Sequence, residues 1–74
     1  MVNHKQLVFA REYRGYTQTY LAKRIQGLSQ SNLSKFEKGL GENLLSDEVL
    51  ERIFNFLDFP KEFFFLKVYN SSEN

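Results

Sequence analysis

A run of four small or amide side chains at residues 29–32, with the letters SQSN, is the stretch best suited to specific hydrogen bonding. The amide of Gln30 can donate and accept at the same time, which matches the edge of an adenine base. Its short neighbours leave room for such an edge to approach, and free N–H groups at a helix start attract phosphate. Residues 29–32 are therefore suited to recognising a partner by hydrogen bonding.

No residues in the sequence are spaced for catalysis or for metal binding. The only histidine is His4, near the start of the chain, and there is no cysteine to share a metal ion with it. Serine is plentiful, but no base or orienting acid accompanies it at a recognisable spacing, and there is no glycine-rich phosphate loop. We therefore expect no enzyme activity, no metal and no cofactor, and no small-molecule ligand is evident.

Charge is distributed unevenly along the 74 residues. Residues 1–39 carry seven Lys or Arg against two Glu, and residues 40–74 carry three against seven Asp or Glu. The first part is thus basic at +5 and the second acidic at −4, within a net charge of +1. Two interpretations fit this distribution: a face that meets a polyanion, or chance clustering of charges on a solvated surface. Charge alone leaves both readings open.

The composition predicts one folded domain with a modest core. Hydrophobic residues make up 42% of the chain, and eight Phe and four Tyr supply most of the bulk. The first fourteen residues, MVNHKQLVFAREYR, contain no long apolar run, so we expect neither a signal peptide nor a membrane span. The lack of cysteine excludes disulfides and fits a reducing compartment, from which we expect a cytoplasmic protein.

Helical spacing recurs along the chain and strand signals are weak, which predicts an all-α domain over residues 1–69. Residues 70–74 are expected to be a flexible tail or the start of a linker. The signals for helix starts and ends predict a compact bundle of about five short helices. The predicted N-terminal caps are Asn3, Thr17, Ser29 and Ser46, and the predicted helix ends are at Gly15, Gly27 and Gly39. Pro60 is predicted at the first position of the fifth helix. Asn3 and Gln6 have the spacing of a capping box.

The stretch from residue 17 to residue 39 pairs two short helices across a tight turn. Gly27 lies in this turn, and Ala22 allows close approach of a neighbouring helix. The second helix, at residues 29–38, begins with the polar run. Small polar residues at the start of a second helix are what entry into the major groove of DNA requires.

This segment resembles the helix-turn-helix domain of the phage repressor, Cro and Xre family, whose fold is lambda-repressor-like. The matching features are Gly15-Tyr16-Thr17-Gln18, Leu21-Ala22, Gly27-Leu28-Ser29-Gln30-Ser31, Leu33-Ser34 and Phe36-Glu37-Lys38-Gly39. Further on, Leu45-Ser46 through Leu57-Asp58-Phe59-Pro60, followed by Phe63-Phe64, is especially similar to the form placed ahead of zinc-metallopeptidase domains. The resemblance covers roughly residues 5–66.

The resemblance implies a sequence-specific binder of double-stranded DNA that regulates transcription, as a repressor, with helix 29–38 in the major groove. By this resemblance, the residues that face base edges are Gln30, Ser31, Ser34 and Lys35. Those that it places near phosphates are Gln18, Asn32, Lys38 and Asn43. Among these, we expect Gln30 and Lys35 to discriminate bases, while Gln18 and Lys38 position the protein.

Arg11 lies on the apolar stripe of the first helix, an unusual place for a charge without a partner. It matches a family position that pairs with the position of Glu37, so the resemblance implies a structural ion pair.

The turn between the second and third helices departs from the family, which usually joins these helices with one residue fewer. The additional Gln26 either lengthens the second helix or enlarges the turn.

Three consecutive phenylalanines at residues 63–65 cannot all face one core, because neighbours on a helix point about 100° apart. We therefore expect a homodimer through the Phe-rich C-terminal helices, with Phe65 at its surface. The alternative is an N-terminal regulatory or antitoxin-like module of a larger protein, acting mainly through protein contacts.

Overall fold

Four α-helices and a short 3-10 helix form the fold of this chain. The computed structural model describes residues 2–41 and 43–67. The helices are α1 (His4–Tyr13), α2 (Gln18–Arg24), α3 (Gln30–Glu37), α4 (Asp47–Leu57) and the 3-10 helix (Lys61–Phe65). All regular structure in the described residues is helical, as predicted, and the predicted tail at 70–74 lies outside them. None of these helices combines the length and the apolar character needed to span a membrane.

Each α-helix begins where a short polar side chain caps it. The side-chain oxygens of Asn3, Thr17, Ser29 and Ser46 accept the backbone N–H of Lys5, Tyr20, Asn32 and Val49, respectively. These bonds satisfy N–H groups that have no partner within the first turn. The four predicted caps are therefore confirmed.

The predicted capping box at the start of α1 was wrong. Gln6 Nε2 donates to the carbonyl of Phe63 at 3.1 Å, across the molecule, and does not return to Asn3. The backbone N–H of Asn3 donates to the carbonyl of Phe64 at 2.7 Å. Carbonyls of the 3-10 helix thus take both donors and join the start of α1 to the C-terminal part of the fold.

The predicted fifth short helix is present as a 3-10 helix that begins at Lys61, so Pro60 is its cap and not, as predicted, its first residue. The N–H of Phe63 donates to the carbonyl of Pro60 at 2.9 Å, the i to i+3 bond of this geometry. Successive side chains then point about 120° apart. Phe64 is fully buried, Phe63 is half-buried, and Phe65 is exposed.

One core joins all five elements. The largest fully buried side chains are Leu7 of α1, Leu21 of α2, Leu33 of α3, Ile53 and Leu57 of α4, and Phe64 of the 3-10 helix. Helix α3 packs against both α1 and α2, so its position is fixed from two sides.

The turn between α2 and α3 contains Gln26. Helix α2 ends at Arg24, and Ile25 leaves the helix in an extended conformation, so Gln26 does not lengthen α2. Gly27 has a φ of +87°, and a Cβ there would lie 3.1 Å from Val49 Cγ2. Only glycine accepts both this backbone geometry and this close approach without strain. Arg52 of α4 closes the turn by donating to the carbonyl of Gln26 at 3.1 Å.

Candidate nucleic-acid interface

One side of α3 is polar from its first residue to its cap. This side carries Gln30, Ser31, Ser34, Lys35 and Lys38, which at about 100° per residue span an arc of about 140°. The buried Leu33 and Phe36 point in roughly the opposite direction, into the core. Ser34 is half-buried and the other four are exposed. The fold therefore presents the predicted base-facing residues together on one surface, which we call the α3 arc.

Two of the predicted phosphate-contact residues lie outside the α3 arc. Asn32 is half-buried, about 100° beyond Ser31 around the helix. Asn43 is exposed and lies between α3 and α4. Lys38 lies within the arc, and Gln18 opens the neighbouring helix α2.

A chain of hydrogen bonds connects Gln30 to the interior. Gln30 Nε2 donates to Gln18 Oε1 at 2.9 Å, and Gln18 Nε2 donates to Glu37 Oε1 at 2.8 Å. Because a carboxylate can only accept, Glu37 turns the NH₂ group of Gln18 toward itself. The Gln18 oxygen then faces Gln30 and accepts one of its two N–H groups. The orientation of the Gln30 amide is thereby set from within the protein.

This orientation leaves Gln30 able to read a base. Its Oε1 and its second N–H are not used in the bond to Gln18. An adenine presents one N–H donor and the N7 acceptor side by side in the major groove. The free pair on Gln30 complements that pattern.

Glu37 is itself held by Arg11. Arg11 Nε donates to Glu37 Oε2 at 2.7 Å, and Arg11 Nη2 donates to Glu37 Oε1 at 2.8 Å. The third donor, Nη1, bonds the carbonyl of Tyr16 at 2.7 Å. The side chains of Arg11 and Glu37 are only 10% and 5% exposed. The bonds to Glu37 raise the pKa of Arg11 above its usual value.

The arginines of the basic part are partly used inside the protein. Arg11 is paired with Glu37, and Arg14 donates to the carbonyls of Leu57 and Asp58 at 2.7 and 2.9 Å. The net charge of +5 in residues 1–39 already includes Glu37, so these bonds do not lower it, but they leave fewer guanidinium groups available to contact a polyanion. On the α3 arc the cations are Lys35 and Lys38.

Sequence reasoning did not find the bond between Gln18 and Glu37. These residues are 19 positions apart, and no local pattern connects them. It also missed that the exposed Phe9 and Tyr13 of α1 form one aromatic cluster with the half-buried Phe59 and Phe63 of the C-terminal part. The spacing of Phe9 and Tyr13, four residues apart, was the available signal.

Comparison with known proteins bears on the same segment. A family description for helix-turn-helix domains, of the Cro/C1 type, matches residues 9–64, which include α2, α3 and α4. No curated protein and no solved structure is similar enough to the chain to match it. Since the matched residues make up well over half of the chain, it belongs to the helix-turn-helix family of phage repressor and Xre type.

Proposed function

We propose that this protein binds double-stranded DNA at specific sequences and represses transcription, with helix 29–38 in the major groove. The observation that carries the proposal is the α3 arc within a helix-turn-helix domain, with Gln30 oriented by Gln18. Recognition by hydrogen bonding needs side chains that are both exposed and fixed, and Gln30 is both.

The proposed contacts divide into two groups. Gln30, Ser31, Ser34 and Lys35 face base edges. Gln18, Asn32, Lys38 and Asn43 contact phosphates and set the register on the duplex. Gln18 serves twice, because its Nε2 keeps a second N–H for a phosphate after bonding Glu37.

Selection from random duplex DNA tests the proposal directly. The 74-residue chain is expected to enrich one sequence, and its affinity for that sequence is expected to fall as salt rises, because bound phosphates release counterions. A scrambled duplex of equal length and composition is the matched control. No binding at low salt by a chain with a helical circular dichroism spectrum would refute the proposal.

Repression requires a separate measurement. A reporter gene with the selected sequence across its promoter is expected to lose expression when the chain is produced. The same promoter with the scrambled sequence is the control. Increased expression would make the protein an activator with the same DNA contacts.

We also propose that the protein acts as a homodimer in the cytoplasm and catalyses no reaction. The aromatic cluster supports self-association, since Phe9 and Tyr13 are 51% and 67% exposed. A dimer of helix-turn-helix domains reads two half-sites about one helical turn of DNA apart. The selected sequence is therefore expected to be an inverted repeat.

A further inference from the structure

A groove of about 800 Å³ opens between α4, the start of α1 and the 3-10 helix. Core side chains contribute to its lining, namely Phe36, Leu50 and Phe54, each less than 10% exposed. Phe65 adds a third aromatic ring and is 42% exposed. Clefts of roughly 300–1,000 Å³ with a mainly apolar lining and a few polar groups are typical of small-molecule sites.

The polar part of the lining is acidic. It contains the carboxylates of Asp47, Glu48 and Glu51 and the ammonium of Lys61. Lys61 Nζ lies 2.9 Å from Glu51 Oε2, so these two charges offset each other. Within residues 2–41 and 43–67, no basic side chain forms an ion pair with Asp47 or Glu48.

The start of α4 does not cancel this charge. Asp47 and Glu48 lie in its first turn, where the helix dipole is equivalent to about half a positive charge. Two carboxylates exceed that amount, so between one and two negative charges remain at the groove. An anion is therefore disfavoured there, and a cation gains a Coulomb attraction to the carboxylates that a neutral ligand of the same shape does not gain.

We propose that this groove binds a small organic cation, an ammonium or guanidinium group on an aromatic or aliphatic body. The body would lie on the apolar lining, and the cation would lie near Asp47 and Glu48. Phe65, which is 42% exposed, favours the same class of ligand, because the face of an aromatic ring attracts a cation, whereas Phe36 and Phe54 are at most 5% exposed and contribute only apolar lining. The volume suits a small molecule, and the acidic residues select its charge.

The groove also reaches the segment that follows α3. Gly39 and Asn43 contribute to its lining, and His4 packs so closely on Gly39 that a Cβ there would lie 2.9 Å from the imidazole Cε1. The amide of Gly39 is therefore a reporter of occupancy. The inference does not depend on DNA binding, and its test needs no DNA.

The test is a titration of the ¹⁵N-labelled chain with 4-phenylbutylammonium, followed by two-dimensional NMR. We expect saturable shifts at the amides of Gly39, Leu45, Leu50 and Phe54. The alcohol 4-phenylbutan-1-ol and the anion 4-phenylbutanoate share the same body and serve as controls. Each is expected to bind at least about five-fold more weakly, the effect of one or two exposed charge pairs.

Matched variants distinguish the effect of the carboxylates in the groove from the effect of the overall charge of the protein. Asp47→Asn with Glu48→Gln removes two carboxylates from the groove, and Asp58→Asn with Glu62→Gln removes two outside it. The first pair is expected to weaken the ammonium about five-fold and the second less than two-fold. If the first double variant does not fold, Glu48→Gln alone gives the same comparison at about half the effect on a logarithmic scale.

Four results would overturn the inference. The three probes could bind equally, the two double variants could lose equal affinity, or the shifts could fall on the aromatic cluster of α1. Groove amides that shift with protein concentration alone would instead assign the surface to a second copy of the chain.

Discussion

The guanidinium of Arg11 donates two hydrogen bonds to the carboxylate of Glu37, at 2.7 and 2.8 Å, and both side chains are almost completely buried. The pair ties the end of α1 to the end of α3. It also fixes the position of Glu37 Oε1, which accepts the hydrogen bond from Gln18 Nε2. A contact that stabilises the fold thus orients the side chain proposed to read a base.

Removing the charge of Glu37 is expected to destabilise the domain strongly. In Glu37→Gln the buried Arg11 loses its counterion, a change that typically costs about 3–5 kcal/mol. Glu12→Gln is the control, because Glu12 lies 3.9 Å from Arg11 but is 67% exposed, and we expect a cost under about 0.5 kcal/mol. Urea unfolding followed by circular dichroism at 222 nm measures both. Equal, small losses would show that the pair contributes little.

The turn before α3 is expected to tolerate no side chain at Gly27. Gly27→Ala meets two penalties, a positive φ and a Cβ 3.1 Å from Val49. Gly15→Ala meets only the first, since its φ is +79° and nothing lies within 4 Å of its Cβ. We expect about 1–2 kcal/mol for Gly15→Ala and about 1 kcal/mol more for Gly27→Ala. The same unfolding experiment compares them, and equal losses would mean that α4 moves aside freely.

Gln30 is expected to discriminate bases, and Lys38 is not. Gln30→Ala should cost about 1–3 kcal/mol on the selected duplex and remove the preference at one base position. Lys38→Ala should weaken binding to all duplexes alike and lower the salt slope by about one unit. The measurement is affinity for the selected duplex and for a set with single base changes. If Gln30→Ala weakens every duplex equally, Gln30 contacts the backbone instead.

Gln18 gives two different expectations, one from sequence and one from structure. As a phosphate contact alone, Gln18→Ala would weaken binding to every duplex by the same factor. As the group that orients Gln30, it should also reduce the preference at the position that Gln30 reads. Thr19→Ala changes the neighbouring exposed residue of α2 and is the control. An unchanged preference in Gln18→Ala would show that Gln30 finds its orientation without help.

The local features of the fold were predictable because the signals that produce them are local. Ser29 caps α3 through an N–H three residues away, and Gly27 supplies the positive φ of the turn. The capping box failed because the backbone N–H of Asn3, which Gln6 would have accepted, donates to the distant carbonyl of Phe64. The bond from Gln18 to Glu37 likewise depends on how α2 packs on α3. Sequence spacing carries no record of either contact, so tertiary structure was needed to find them.

Self-association is expected to involve the aromatic cluster of α1 more than Phe65. Phe9 and Tyr13 stack at 5.9 Å between ring centroids and are the more exposed, whereas Phe65 is 42% exposed and contributes to the lining of the groove. Phe9→Ser should therefore weaken a dimer more than Phe65→Ser, since more apolar surface would lose its partner. Sedimentation equilibrium of both variants and of the parent chain, from low to high micromolar concentration, measures the effect. A greater loss in Phe65→Ser would place the interface on the C-terminal phenylalanines, as the sequence alone predicted. A parent chain that stays monomeric over this concentration range would refute the homodimer. The aromatic cluster would then be expected to bind a different protein.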